Sequence, residues 1–211
     1  MELSKTDYTV IDSKDSEYFA IKARLYKRDE DYKSAKEYYN LAIALGDIDA
    51  TAELGELYLD IEKEVDLALA YLQIAASSNS ILAFYKLGKI YNEGKFVEED
   101  KELGHYYYSK ALDELSNYDE DERVKYPSLH LDIAKDIIEN NESMESLFQA
   151  YDYLEIANDG FVFALNNGLS EYADKLKETQ ELLDSELFQE IKEIMKSDDC
   201  DCDGECHCHE D

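Results

Sequence analysis

The chain has 211 residues, 45% of them apolar, and sets 21 basic side chains against 51 acidic ones for a formal net charge of -30. That length suits one medium domain or one elongated array. A surface this acidic repels phosphates and anionic lipid heads, so neither nucleic acid nor a membrane surface is an expected partner.

In chain order, residues 1–16 form a lead-in without a basic-then-apolar leader, and no apolar run approaches the roughly 20 residues needed to cross a bilayer. The expectation is a cytoplasmic protein whose four cysteines stay reduced. From residue 17 the sequence repeats. "IKARLY" supplies Ala23, Leu25 and Tyr26, and Ala35, Tyr38 and Ala42 follow in "SAKEYYNLAIALGD". The next copy has Leu54, Gly55 and Tyr58, then Ala68, Tyr71 and Ala75; the third has Leu87, Gly88 and Tyr91, then Gly104, Tyr107 and Ala111. A weaker fourth pairs Ile133, Ala134 and Ile137 with Ala150, Tyr153 and Ala157. Within each segment these residues stand three or four apart, on one face of a helix. Small residues at the crossing points let two helices approach closely, and such hairpins bury their apolar faces only by stacking on neighbours.

Between the third and fourth copies, "DELSNYDEDERVKYP" reads as an exposed linker. Residues 166–196 alternate apolar and charged side chains at helical spacing without the repeat signature, which fits capping helices. The 18 tyrosines fit recurring half-buried packing positions.

The pattern A-x3-LG-x2-Y, a Gly-containing connection, then A-x2-Y-x3-A resembles the Sel1-like repeat, a relative of the tetratricopeptide repeat. The resemblance covers about residues 17–165, as about four copies. It is clearest in "LGKIYNEGKFVEEDKELGHYYYSKAL", where Gly94 and Asp100 also match the loop and Gly104 replaces the usual second-helix alanine. It implies an all-α fold, a right-handed α-solenoid of antiparallel helix pairs, closed by capping helices and a short irregular tail. The function it implies is a scaffold that binds a protein or peptide in a concave groove lined by the first helices. Carried onto this chain, the groove-facing positions include Arg24, Lys27, Arg28, Glu56, Tyr85, Lys89, Asn92 and Lys135. Arg24, Glu56, Lys89 and Lys135 then make a mostly basic stripe, suited to acidic or carboxylate groups of a partner. The competing reading is that these cations pair with nearby acids and relieve self-repulsion.

Catalytic signatures are missing: there is no G-x4-G-K-[ST], no G-x-S-x-G and no H-E-x-x-H. His105 and His130 stand singly on expected helices, where a solvated or packed ring is the ordinary role. An enzyme is not expected.

The end of the chain, residues 197–211, is an acidic tail that holds every cysteine. Cys200, Cys202, Cys206, His207, Cys208 and His209 offer six thiol or imidazole donors, the ligands that Zn2+ prefers in tetrahedral sites. Gly204 stands between the pairs, where the chain can reverse. Zn2+ is the expected metal, with Ni2+ or Cu+ also compatible with these donors. The C-x-C then C-H order resembles the short zinc-binding motif that ends the preprotein translocase ATPase, although the spacer between the pairs is shorter here and acidic. Two other readings of the tail stand beside metal binding: an acidic terminus without fixed structure, and a thiol redox device whose reactivity the surrounding carboxylates would blunt. A metal-handling protein, with the solenoid docking a client and the tail delivering the ion, is the alternative to the scaffold.

Overall fold

The computed structural model describes residues 13–118, 126–140 and 143–198, and all regular structure among them is helical. The chain divides into two compact units, Met1–Asn117 and Tyr118–Asp211.

The first unit contains three helical hairpins. Helix α1 (Ser13–Arg28) pairs with α2 (Tyr32–Ala44), α3 (Ile48–Leu57) with α4 (Val65–Ser77), and α5 (Ile81–Glu93) with α6 (Lys101–Leu115). Four of these helices start on an oxygen-bearing side chain that accepts from the backbone N–H three residues on: Asp31, Asp47, Ser80 and Asp100. Such caps satisfy amide groups that a helix N-terminus otherwise leaves unpaired. Between hairpins the chain turns through a left-handed residue, Gly46 in one junction and Asn79 at the equivalent place in the next. Helix α3 ends in a wider π turn over Tyr58–Glu62, and the following left-handed Lys63 redirects the chain into α4.

Close helix approach explains the repeated small residues. A methyl group on Gly55 would lie 3.1 Å from the Ala68 carbonyl oxygen and 3.1 Å from Tyr71 Cβ. On Gly88 it would collide with the Tyr108 ring, at 2.4 and 2.6 Å from two ring carbons. The third hairpin has Gly104 where the first two have Ala35 and Ala68, because the Asn92 carboxamide occupies the space a methyl would need.

Each hairpin also carries a stacked tyrosine pair at the same repeat position, with one ring from each helix. Tyr26 lies on Tyr38 with centroids 5.2 Å apart, Tyr58 on Tyr71 at 5.5 Å, and Tyr91 on Tyr107 at 5.9 Å. Offset stacking at such distances adds to the burial of the rings. The six residues are the repeat's own tyrosines, which accounts for a third of the 18 in the chain.

In the second unit, α7 (Pro127–Glu139) packs on α8 (Met144–Asn166), and a 3-10 turn at Ser170–Tyr172 leads into α9 (Ala173–Leu183) and α10 (Glu186–Asp198). Pro127 opens α7, where its missing N–H costs no hydrogen bond. The core combines Leu131 and Ala134 of α7, Leu147, Leu154, Ala157 and Phe161 of α8, and Phe188 and Ile191 of α10. Leu176, Leu182 and Leu183 of α9 pack against it, and Lys175 donates to Ser128 Oγ across to α7 at 2.7 Å.

Two features depart from the sequence pattern. The stretch expected as a linker begins later, since Asp113–Leu115 complete α6 and Leu115 is buried. Helix α8 runs straight through Asn158, Asp159 and Gly160, the region where the other second helices turn, because Phe161 and Ala164 continue its buried face.

Candidate protein-binding face

The first helices of the three hairpins, α1, α3 and α5, are joined by ion pairs that run from one helix to the next. Arg24 on α1 donates from Nε to both carboxylate oxygens of Glu53 on α3, at 2.8 and 2.9 Å, and its Nη2 is 2.7 Å from Glu53 Oε1. The Tyr39 hydroxyl, fully buried beneath α3, is hydrogen-bonded to the same carboxylate. Burial, and then the nearby Glu53 charge, raise that phenol far above its usual range, so it stays a neutral donor.

One turn further along, Glu56 on α3 is shared by two ammonium groups. Lys27 of α1 bonds one oxygen at 2.8 Å, and Lys86 of α5 bonds the other. Burial pushes the Glu56 carboxyl up, but the charges of Lys86 and Lys27 outweigh it and hold the group at about 2. The result is a lattice of alternating charge across three helices, with Glu53 and Glu56 between Arg24 and Lys27 on one side and Lys86 on the other. Lys36 of α2 pairs separately with Glu62.

The sequence-derived positions distribute unevenly over this lattice. Arg24, Lys27 and Glu56 are members. Arg28 is exposed beside Asp29, at 3.3 Å. Lys89 lies 3.3 Å from Glu93 on its own helix. Tyr85 and Asn92 require correction. Tyr85 is buried and stacks 6.3 Å from Tyr108, because the matching positions Ala20 and Ala52 also point inward. The Asn92 carboxamide faces Gly104 inside the third hairpin, at the repeat position that buried Leu59 holds in the second. Lys135 belongs to the second unit and pairs there with Glu178.

Three members of the lattice were missed in the sequence: Tyr39, Glu53 and Lys86. A signal for the charged two was present, since Arg24–Glu53, Lys27–Glu56 and Glu56–Lys86 are separated by 29, 29 and 30 residues. Those spacings fall about one helical turn short of the repeat length.

Among the described residues no group of three or more His, Cys, Asp or Glu side chains is arranged to hold a metal ion. Cys200, Cys202, Cys206, His207, Cys208 and His209 lie outside the described residues. His130 is buried in α7 with its ring 5.6 Å from Tyr153, and His105 is exposed on α6. No helix among the described residues is long and apolar enough to cross a membrane.

Paired helices with stacked tyrosines and glycine crossings, repeated three times, define a solenoid of short helical repeats. The Sel1 repeat family model matches the chain three times, over residues 25–47, 48–80 and 82–114. Among solved structures, a protective antigen of uropathogenic Escherichia coli described as displaying an SLR fold superposes with a TM-score of 0.52 at 19% identity, over 93% of this chain and 43% of that one. A Sel1 repeat protein from Oxalobacter formigenes is 26% identical over 48% of this chain and 81% of its own, with a TM-score of 0.38. No curated protein matches the chain.

Proposed function

We propose that this chain is a non-enzymatic, cytoplasmic scaffold that binds a partner protein or peptide on the α1, α3 and α5 face of its first unit. The observation that supports this most is the charge lattice of Arg24, Glu53, Lys27, Glu56 and Lys86. Its members are held by one another across three helices, so a partner meets a preorganised surface and loses little side-chain entropy on binding. Arg24 is the point of entry. Its side chain is 50% exposed, and a guanidinium has five N–H donors, more than Glu53 alone can accept. An acidic or carboxylate group of the partner adds to that fork without displacing Glu53.

The test is quantitative capture from an extract of the native host with the full chain. Arg24→Gln should lower recovery of the specific partner about tenfold or more, the loss of one charge-assisted contact. Lys110→Gln, on α6 away from the lattice, should leave it unchanged. Equal recovery with both variants rules out the face.

A second reading concerns the tail, and the observation favouring it is six thiol and imidazole donors between Cys200 and His209. In this reading Cys200, Cys202, Cys206, His207, Cys208 and His209 supply a Zn2+ site, Ni2+ or Cu+ being the other ions these donors suit. If the tail delivers its ion, the solenoid docks the client that receives it. Full chain purified with stoichiometric metal, against a metal-free chain ending at Lys196, supports the site; equal and negligible metal in both removes it.

A further inference from the structure

The second helices of the first unit present a different surface from the first helices. In α4, Ala68, Leu72 and Ala75 are buried, and another side of the helix exposes Leu67, Ala70 and Ile74. Their spacing of i, i+3 and i+7 sets them in one stripe. Ile74 is 59% exposed and Leu67 41%. Leu41 holds the repeat position of Ile74 on α2 and is exposed as well. On α6 that position passes to Lys110, whose ammonium lies 5.9 Å from the ring of exposed Tyr106.

Charge is excluded from the stripe. Asp66 is the one charged residue of α4, and none occurs from Leu67 to Tyr85, in a chain that is 34% charged. Gln73 and Ser77, exposed beside the stripe, are neutral. An exposed helix face ordinarily carries charged side chains, and an apolar patch with a polar rim marks a contact surface.

The rim sets the charge of what fits. Glu37 on α2 stands at the repeat position of Ala70, Glu102 on α6 at that of Asp66, and Asp113 two turns beyond Tyr106; all four acids are exposed. Lys33 and Lys110 are the bases at the outer positions of the same helices, so the rim is net acidic, as is the whole chain at -30. A second copy would bring two such rims together against that repulsion, whereas a cationic segment is attracted. Ala70, small and central between Leu67 and Ile74, lets a helix approach closely. The stripe from Leu67 to Ile74 is about 10 Å long, the length of two turns of a partner helix.

We infer that the outer face of α4, with Leu41 of α2, docks a cationic amphipathic helix of a partner protein. The apolar side of that helix covers Leu67, Ala70 and Ile74, and its lysines or arginines meet Glu37, Asp66 and Glu102. This face lies on the second helices and the charge lattice on the first, so one chain offers two separate docking surfaces.

The test uses the full chain and two short synthetic peptides of leucine and lysine. One has its leucines on a single helical face, and the other has the same composition in scrambled order. Binding is read by fluorescence anisotropy in physiological salt, with sedimentation of the chain alone over a range of concentrations. The amphipathic peptide should bind about tenfold more tightly than the scrambled one, and Leu41→Gln/Ile74→Gln should remove that advantage. Ile74→Lys, a single change at an exposed site, should do the same, while Arg24→Gln in the lattice should leave it intact. Equal binding of the two peptides, or an advantage that survives both α4 variants, overturns the proposal, because attraction to an acidic chain would then suffice. So does a dimer of the chain alone that Leu41→Gln/Ile74→Gln dissolves, since the face would belong to a second copy.

Discussion

Replacing Glu56 by glutamine tests whether the charge lattice holds the first helices together. The carboxyl is held at about 2 against an ordinary value of 4.5. That difference corresponds to about 3 kcal/mol in favour of the ionised form in the folded chain. Glu56 retains 22% of its side-chain exposure, so solvent screening reduces the figure, and about 2 kcal/mol is the expected loss at pH 7. Glutamine keeps the length and one acceptor oxygen, so what disappears is the charge facing Lys27 and Lys86. The pH dependence follows from linkage. A depressed carboxyl contributes stability that is fully present above its unfolded value near 4.5 and is lost as pH falls through its folded value near 2. Urea unfolding of both proteins at intervals from pH 7 to pH 2 should therefore give a gap near 2 kcal/mol down to about pH 5, closing towards zero by pH 2. Comparing the two proteins cancels the titration of the other acids, whose mutual repulsion acid relieves. A gap that stays constant over this range, or one below about 0.5 kcal/mol at pH 7, would refute the lattice as a source of stability.

Four further outcomes follow from the packing and the backbone geometry. Gly88→Ala gains about 1 kcal/mol of helix propensity but must displace the buried Tyr108 ring, an overpacking cost of about 1 to 3 kcal/mol, so net destabilisation is expected in urea. Gly55→Ala should lose less, since its nearest neighbours stand at 3.1 Å or beyond. Glu30 has a φ of 59°, and Glu30→Gly should raise stability by about 1 kcal/mol in the same assay by relieving a left-handed conformation. A double-mutant cycle replacing Tyr58 and Tyr71 by leucine should return a coupling of about 0.5 to 1.5 kcal/mol, and additive losses would show that the rings do not act as a pair.

The repeat was legible because its key residues are fixed by backbone proximity. Gly55 and Gly88 occur where another helix leaves no room for a methyl, and Tyr58 and Tyr71 recur because each hairpin has the same slot for two flat rings. Residues whose role depends on a long side chain choosing among several partners were less legible. Lys27 and Lys86 both reach Glu56, a choice made by helix offset and not by the local pattern. Asn92 faces inward because its carboxamide and Gly104 exchange volume across the hairpin, a pairing between distant positions that no local pattern marks. Asn158 to Gly160 look like a turn, yet tertiary burial of Phe161 and Ala164 keeps them helical.

Among the described residues the stacked tyrosine pairs lie within hairpins, with none across the junctions between them. Packing in the first unit is likewise more extensive inside each hairpin than from one hairpin to the next. Each hairpin is therefore the more closely packed element, and the junctions at Gly46 and Asn79 are spanned by alanine and leucine contacts and by the salt bridges of the lattice. A force applied across α1, α3 and α5 would therefore meet the salt bridges of the lattice before it reached the interior of any hairpin. Loss of the lattice charges would thus loosen one hairpin from the next while the aromatic pairs inside each hairpin stay stacked.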